Sequence, residues 1–480
     1  MAESLKKQAF VGVGWNALGS FSTQGVNFVL QIILARLLSP SDYGVIAMMA
    51  IFLQVAAVFV DSGFGKALVQ KKDCEEKDYS TVFYYNLAVS IGIYIILFAI
   101  SPLVARFYDT SILKDVMRVA SLVVIINALS IVQRTKLEKS IDFKSRSIVA
   151  FVSSLLSGIA GIIMAYYGFG VWALCGQSLL NSLLQLIFFY LYVRWFPSLV
   201  FSRESFREMF SFGSKLLATN IINVIYSNLY TIVIGKRFNS RDLGFYSRAD
   251  QFAIFPSTYL CGIISGVAFP TLSKIQDDDD KLRFAYRKII RYSSFIIFPL
   301  MIGLAAVADP FIRALLGGKW AETIPYLQIL CFALMWDHLS SLNLNLLFVK
   351  GKSNLVLKLE IIKKSIALII LFASIPFGII IMCCGRVFYG IIAFYINTCY
   401  TKRIIGLSFW QQVMDFLPYL VISLCMGVLV FFVCAVIPVN PIWLLIIGLL
   451  IGAVAYLGCS LLFLEDIREE ALLIIRRVKK

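Results

Sequence analysis

The chain has 480 residues, of which 60% are hydrophobic and 15% are charged, and its mean hydropathy is +0.84. A soluble globular chain carries about 25% charged residues, so this composition excludes a water-soluble body of the same length. The net charge is +16, but no basic stretch is interleaved with a soluble fold, which argues against nucleic-acid binding. Apolar runs long enough to cross a hydrocarbon core about 30 Å thick recur along the chain. Since backbone polar groups in lipid must be satisfied within each segment, the composition predicts an all-α polytopic membrane protein.

The apolar runs predict about 14 transmembrane helices. The first run continues to a polar turn without a small-residue cleavage site, so it reads as a first span and not as a removed signal peptide. In chain order, the predicted spans cover roughly 15–37, 42–65, 80–105, 112–133, 147–168, 170–193, 208–235, 243–271, 286–316, 321–349, 354–376, 379–400, 410–437 and 441–464.

The distribution of lysine and arginine predicts the topology. When the N-terminus is placed in the cytoplasm, most of the 44 basic residues fall in the cytoplasmic segments. This bias places the N- and C-termini in the cytoplasm, which agrees with an even number of spans. The positive net charge is thus mainly a topology signal and an attraction to anionic lipid head groups.

A polar turn occurs twice, 200 positions apart and without a gap. Residues 35–44 read ARLLSPSDYG and residues 235–244 read GKRFNSRDLG. The two stretches join spans one and two and spans seven and eight, so an even number of spans separates them and both turns face the same side. This pattern favours two parallel repeats around a central pathway, as in transporters, over a chance match between two turns. The equivalent positions are Arg36 and Lys236, Ser39 and Asn239, Asp42 and Asp242, and Gly44 and Gly244.

The repeat predicts two six-helix lobes followed by two extra C-terminal helices. We expect an N-lobe of helices 1–6 at residues 1–200 and a C-lobe of helices 7–12 at 201–404. Residues 405–480 would hold helices 13–14 and a basic cytoplasmic tail.

Three stretches resemble a known family. The turn at 35–44, the segment FVDSGFGKALVQ at 59–70 and the segment LGFYSRAD at 243–250 resemble the polysaccharide transporter (Wzx-like) family. This family lies within the multidrug/oligosaccharidyl-lipid/polysaccharide (MOP) flippase superfamily. The resemblance runs from about residue 5 to residue 400 and is weak in the last two spans.

The resemblance implies a flippase of the bacterial cytoplasmic (inner) membrane. Its substrate would be an undecaprenyl-diphosphate-linked oligosaccharide, moved from the inner to the outer leaflet by alternating access. The product would be a surface polysaccharide: O-antigen of lipopolysaccharide, capsule or exopolysaccharide. Implied partners are membrane lipids and a polysaccharide polymerase or glycosyltransferases. We expect no cofactor, and H+ or Na+ coupling or the substrate gradient itself would supply the energy.

Basic residues within the spans are the first candidates for the site. A charged group at mid-membrane costs about 2.5–3.5 kcal/mol on insertion scales, so it faces the bundle interior or a wet cavity. For an anionic head group we select Arg248, whose guanidinium can hold two diphosphate oxygens, with Lys215, Lys364 and Arg118. The alternative for Arg248 is that it snorkels to the outer head groups, and for Lys215 and Lys364 that they snorkel to the inner interface.

Acidic residues within the spans are candidates for ion coupling, because a carboxyl in apolar surroundings suits reversible protonation. We select Asp61, Asp250 and Asp337. Asp250 lies two residues from Arg248, so the two cannot share a helix face and should have different partners. For Asp61 the alternative is a helix cap beside Ser62, and for Asp337 it is a structural polar pair with His338.

Two other functional classes compete with the flippase. A cation-coupled multidrug exporter of the same fold would need an acidic cavity, whereas the charges within the spans lean basic. A membrane glycosyltransferase would need a sizeable loop with acidic catalytic groups, and the loops are short. The sequence has no Walker A lysine loop and no nucleophile elbow, and one histidine argues against a His-based metal site. We therefore expect a transporter and not an enzyme.

Overall fold

The computed structural model describes residues 2–464 and 467–469, with the side chains at 2–14, 16–18, 211–212 and 215–216 outside that description. All regular structure among the described residues is helical, which confirms the all-α prediction. The chain divides into two compact units, Met1–Gly244 and Phe245–Lys480, here called the N unit and the C unit. The lobe boundaries at 200 and 404 stay a prediction.

Eleven helices begin in the N unit, and the last of them continues into the C unit. Within the N unit, α1 packs against α7, α7 against α8, and α9 against α2 and α3. The bounds are α1 Ala2–Leu37, α2 Pro40–Asp61, α3 Phe64–Gln70, α4 Glu76–Phe107, α5 Ile112–Ala120, α6 Leu122–Lys139, α7 Phe143–Tyr166, α8 Val171–Val193, α9 Arg203–Ser227, α10 Leu229–Arg237 and α11 Ser240–Ser273.

The rest of α11 and nine further helices form the C unit. The two C-terminal helices pack against the body of this unit, α19 against α12 and α20 against α13 and α19. The bounds are α12 Asp279–Ala306, α13 Ala308–Leu315, α14 Thr323–Leu334, α15 Asp337–Val349, α16 Ser353–Ser374, α17 Ile379–Thr398, α18 Thr401–Ile405, α19 Phe409–Val436 and α20 Pro441–Phe463.

Among the described residues, ten helical segments are long and apolar enough to cross a membrane. An eleventh is the pair Leu217–Ser227 and Leu229–Arg237, which is bent by 44°. The chain is therefore a multi-pass membrane protein, but the predicted count of fourteen is not confirmed. Predicted span ten is broken between α14 and α15, and predicted span eleven, α16, carries four charged side chains. Those side chains are Lys358, Glu360, Lys363 and Lys364.

The repeated turn has the same local structure in both copies. The first copy lies between the end of α1 at Leu37 and the start of α2 at Pro40, and the second between Arg237 and Ser240, so the helix ends keep the offset of 200. In each turn, the side chain that precedes the second helix accepts a hydrogen bond from a backbone N–H of the first helical turn, which has no partner within the helix. In the first copy the Asp42 N–H donates to Ser39 Oγ at 3.3 Å. In the second copy the Asp242 N–H donates to Asn239 Oδ1 at 2.8 Å.

The two turns also contact each other through their glycines. A Cβ added to Gly44 would lie 1.7 Å from the Ser240 carbonyl oxygen, and one added to Gly244 would lie 1.9 Å from the Pro40 carbonyl oxygen. Pro40 and Ser240 are themselves equivalent positions in the repeat. The contact is thus reciprocal, and at both positions the backbone approach leaves no room for a side chain.

Candidate functional site: a charge cluster on four helices of the C unit

An ion pair between α11 and α17 is the centre of the cluster. Arg386 Nη1 lies 2.6 Å from Asp250 Oδ1 and donates to the Tyr246 hydroxyl at 2.8 Å. The side chains of Arg386 and Asp250 are 18% and 23% exposed, and Tyr246 is fully buried. Tyr246 and Asp250 are four residues apart, so they share the α11 face that meets α17.

Asp337 extends the cluster to α15. It is the first residue of α15, directly after the break that follows α14, and a carboxylate is favoured at a helix N-terminus. The side chain is exposed, whereas its neighbour His338 is buried. Its carboxylate lies beside the Ser257 hydroxyl of α11, within electrostatic range of Arg386.

Lys363 on α16 completes the cluster. Its side chain is buried and forms an ion pair with Glu360 of the same helix, and Asp337 lies within its electrostatic range. Lys364, the residue selected from the sequence, is half-buried on the adjacent position of α16. The structure therefore brings together Asp250, Arg386, Asp337, Lys363 and Glu360: three carboxylates with two cations.

Arg248 lies on the same stretch of α11 but on a different face. It is two residues from Tyr246 and from Asp250, which places it about 200° around the helix from each. The residue is half-buried. Its guanidinium group is therefore directed away from the face that Asp250 presents to Arg386.

Asp61 and Arg118 have local contacts within the N unit. Asp61 ends α2 where the chain breaks before α3, and its carboxylate lies beside Gly65 in the first turn of α3, the position that the helix-cap alternative requires. Arg118 donates to Ser101 Oγ at 3.0 Å and lies 4.2 Å from the centre of the exposed Phe98 ring. The backbone of Lys215 lies in α9, and its side chain is outside the described part.

The residues that were not selected from the sequence are Arg386, Lys363 and Glu360 of the cluster and two charged groups outside it. Asp415 is buried on α19 and binds Arg287 and Arg291 of α12; a lone acid within a long apolar run was the available signal. Lys71, in the connection after α3, binds Asp78 and Glu208. Partial burial acts to lower the pKa of Lys71, but the hydrogen bonds to Glu208 and Asp78 outweigh it and raise the pKa.

Comparison with protein families gives one match that covers more than half of the chain. The family described as "Polysaccharide biosynthesis protein" matches residues 33–325. This range contains both copies of the repeated turn and the start of α11 with Asp250.

Characterised relatives are similar over most of their length. "Teichuronic acid biosynthesis protein TuaB" of Bacillus subtilis (strain 168) is 26% identical over 73% of each chain. "Succinoglycan biosynthesis transport protein ExoT" of Rhizobium meliloti (strain 1021) is 28% identical over 67% of this chain and 65% of its own. "Lipopolysaccharide biosynthesis protein WzxC" of Escherichia coli (strain K12) is 25% identical over 88% and 89%, respectively.

Solved structures share the fold at low sequence identity. The structure of "Lipid II flippase MurJ, inward closed conformation" matches with a TM-score of 0.76 at 18% identity, covering 94% of this chain and 99% of that one. An inward-facing multidrug resistance MATE family transporter of the MOP superfamily matches with a TM-score of 0.62 at 15% identity over 83% and 99%, respectively.

Proposed function

This chain belongs to the polysaccharide biosynthesis protein family, and on that premise we propose that it is a lipid-linked oligosaccharide flippase. It carries undecaprenyl-diphosphate-linked oligosaccharide units from the inner to the outer leaflet of the bacterial cytoplasmic membrane by alternating access. Both termini lie in the cytoplasm. The units are used for a surface polysaccharide, and a polymerase or glycosyltransferases act on the same lipid-linked intermediates.

The observation that carries the proposal is the extent of the family match. Residues 33–325 include the first turn, the second turn and the polar start of α11, so the match contains both copies of the turn that marks the repeat. The relatives are named for three different polymers: teichuronic acid, succinoglycan and lipopolysaccharide. The common element of the names is thus polymer biosynthesis, one of the three is named a transport protein, and the sugar of this chain is left open.

Arg248 and the charge cluster would have separate roles. Arg248 is half-buried and lies on a different α11 face from the ion pair, so its planar guanidinium can bind the diphosphate bidentately. Lys215, Lys364 and Arg118 would extend the binding of the anionic head group. In the cluster, three carboxylates meet two cations, and the unmatched negative charge provides a place for a coupling H+ or Na+ at Asp250 or Asp337.

The test is lipid translocation in proteoliposomes. A fluorescent undecaprenyl-diphosphate oligosaccharide is placed in one leaflet, and its arrival in the other is followed for the native chain, Arg248→Ala and Arg241→Ala. Arg241 is exposed in the first turn of α11 and is the matched control. We expect native transport, a loss of about tenfold or more in Arg248→Ala, because a hydrogen bond to a charged group is worth about 1.5–3 kcal/mol, and near-native transport in Arg241→Ala.

The alternative is a cation-coupled multidrug exporter, since the MATE fold is shared. If the native chain moves no lipid-linked oligosaccharide under an imposed proton or sodium gradient, and instead exports small cationic amphiphiles, the exporter replaces the flippase. If Arg248→Ala and Arg241→Ala lose transport equally, Arg248 does not have the proposed binding role, but the flippase proposal is unaffected.

A further inference from the structure

The connection between α8 and α9, residues 194–202, presents apolar side chains at the surface of the N unit. It has no regular secondary structure. Leu199 is 94% exposed and Phe196 is 72% exposed, and Val200 and Phe201 are exposed as well. Exposed apolar side chains that follow one another so closely form a patch of the kind that marks contact with a partner or a membrane.

Side chains from the second turn of α4 bind the backbone of this connection. The Ser198 N–H donates to Ser80 Oγ at 3.0 Å, and the Ser202 N–H donates to Thr81 Oγ1 at 2.9 Å. Between them, the Val200 N–H donates to the Ser198 carbonyl at 2.7 Å. Where lipid replaces water, backbone polar groups must find their partners within the protein. These hydrogen bonds therefore suit a non-helical segment that lies against the edge of a bilayer.

The inner side of the connection is fixed by a buried ring. Trp195 is buried and donates from Nε1 to Glu76 Oε1 at 2.6 Å, and its ring lies 6.1 Å from the ring of Phe83 on α4. Phe196 follows Trp195 directly and is directed outward. Because the inner side is held by hydrogen bonds and ring packing, the outward direction of Phe196 and Leu199 is a fixed feature of the fold.

The apolar patch continues the exposed surface of α8, a helix long and apolar enough to cross a membrane. Leu191 and Tyr192 are exposed in the last turn of α8. Arg194, Arg203 and Arg207 are exposed at the two ends of the connection, and none of them forms an ion pair with another residue of the described part. Apolar side chains flanked by arginines suit the boundary at which lipid phosphates meet acyl chains.

The carboxylates at the start of α9 lie on a different face from its arginines. Arg203 and Arg207 are four residues apart and share one face of α9, and Glu204 and Glu208 share the adjacent face. Glu208 Oε2 lies 3.0 Å from Lys71 Nζ, in the connection after α3. The acidic face is thus directed to α3 and α4, and the basic face is left for contacts outside the N unit.

We propose that the α8–α9 connection is a membrane anchor. Phe196 and Leu199 insert at the boundary between head groups and acyl chains, and the exposed arginines at the two ends bind the phosphates of anionic phospholipids. The proposed topology places this anchor in the cytoplasmic leaflet, whose surface is negatively charged. The choice of leaflet rests on that topology, whereas the membrane contact does not depend on the proposed transport function. The lobe boundary predicted at 200 falls within the connection, so the anchor would hold the joint between the two repeats at the membrane surface.

Photo-crosslinking tests the contact without a transport assay. The photoreactive residue p-benzoylphenylalanine is placed at Leu199, at Phe196 or, as the matched control, at Asp73 of the full-length chain. Asp73 is exposed in the charged connection that leads into α4, the helix that binds the anchor. Each variant is irradiated in nanodiscs of phosphatidylglycerol and phosphatidylcholine and in the membranes of the cells that express it, and mass spectrometry identifies the adducts.

We expect phospholipid adducts from positions 199 and 196, few or none from position 73, and more adducts of phosphatidylglycerol than of phosphatidylcholine. With the photoreactive residue at 199, Arg203→Gln should lower the ratio of phosphatidylglycerol to phosphatidylcholine adducts about fivefold. Arg146→Gln is the control and should not change this ratio, because Arg146 has its own partner, Glu138, at 3.4 Å.

Three results would each overturn the anchor: equal lipid adducts at 199 and 73, no lipid adducts at 199 and 196, or protein adducts in place of lipid adducts in cells. The last of these would assign the patch to a docked protein. Equal ratios in Arg203→Gln and Arg146→Gln would overturn the role of the arginines. If the substitution at Phe196 disturbs Trp195 beside it, position 199 still decides, because Leu199 is almost fully exposed.

Discussion

The two copies of the repeated segment agree in their turns and differ in the helix that follows. Each turn begins its second helix at the same position, uses a polar side chain to cap that helix, and packs its glycine against the other turn. One helical turn later, the second copy has Tyr246, Arg248 and Asp250, where the first copy has Ile46, Met48 and Ala50. The shared part is therefore the turn that packs, and the part that differs carries Arg248 and the Asp250 of the cluster.

Acidic and basic residues in the spans of the two units also differ in how far their contacts extend. In the N unit, Asp61 caps the next short helix and Arg118 binds the neighbouring α4. In the C unit, α11, α15, α16 and α17 each contribute to one cluster. A charge bound by the adjacent turn is explained by local structure, whereas charges gathered from four helices need a functional reason, because placing them in a membrane is costly.

Removing the Asp250–Arg386 pair is expected to have the largest effect. Either Asp250→Ala or Arg386→Met leaves a mostly buried charge without its partner, and this should lower the free energy of unfolding by about 3 kcal/mol. The double variant leaves neither charge and gives position 250 the alanine found at position 50. It should recover most of the lost stability, as measured by thermal unfolding in detergent.

A transport assay on the double variant then distinguishes a structural role of the ion pair from a role in transport. We expect the double variant to remain transport-deficient in proteoliposomes although it is stable. If it instead translocates lipid at the native rate, the ion pair is structural, and the contrast between the two copies has no functional meaning.

Alanine at the two contact glycines tests the part that the copies share. Gly44→Ala and Gly244→Ala each place a methyl group against a backbone carbonyl, and the overpacking should cost about 2 kcal/mol in either copy. Gly92→Ala is the control, since nothing lies within 4 Å of its added Cβ, and it should be neutral or stabilising by about 0.5–1 kcal/mol. A large difference between the first two variants would show that the contact is not reciprocal.

The positions of the helices could be predicted from the sequence, because long apolar runs and the polar turns between them define the ends directly. The breaks within spans could not. The kink after Asp61 depends on Ser62 and Gly63 in left-handed conformations, with φ of 43° and 75°, and the break before Asp337 places a carboxylate at a new helix start. Both depend on packing against other helices, which a periodicity pattern does not record.

The candidate site could be predicted in part. Asp250 and Asp337 were selected because a carboxylate is conspicuous in an apolar run, and the structure places both in the cluster. The sequence selected Lys364, whereas Lys363 is the lysine of the cluster. Adjacent residues differ by about 100° around a helix, so the choice between them required the position of α16 relative to its neighbours. Arg386 likewise could be identified only from the structure, because its partner Asp250 lies 136 residues away in the sequence.

Substitution of Asp61 has the smallest expected effect on stability. It also decides between the two interpretations of Asp61, a helix cap and an ion-coupling site. As a cap for α3, Asp61→Asn should lower the free energy of unfolding by about 1 kcal/mol or less, because the amide oxygen can still accept from the Gly65 N–H. Transport and its dependence on an imposed proton or sodium gradient should stay native. Asp42→Asn, which changes the capping carboxylate of α2, is the matched control. If Asp61→Asn removes the gradient dependence while Asp42→Asn retains it, Asp61 is a coupling site in the first copy, and the charges that serve transport are not confined to the second.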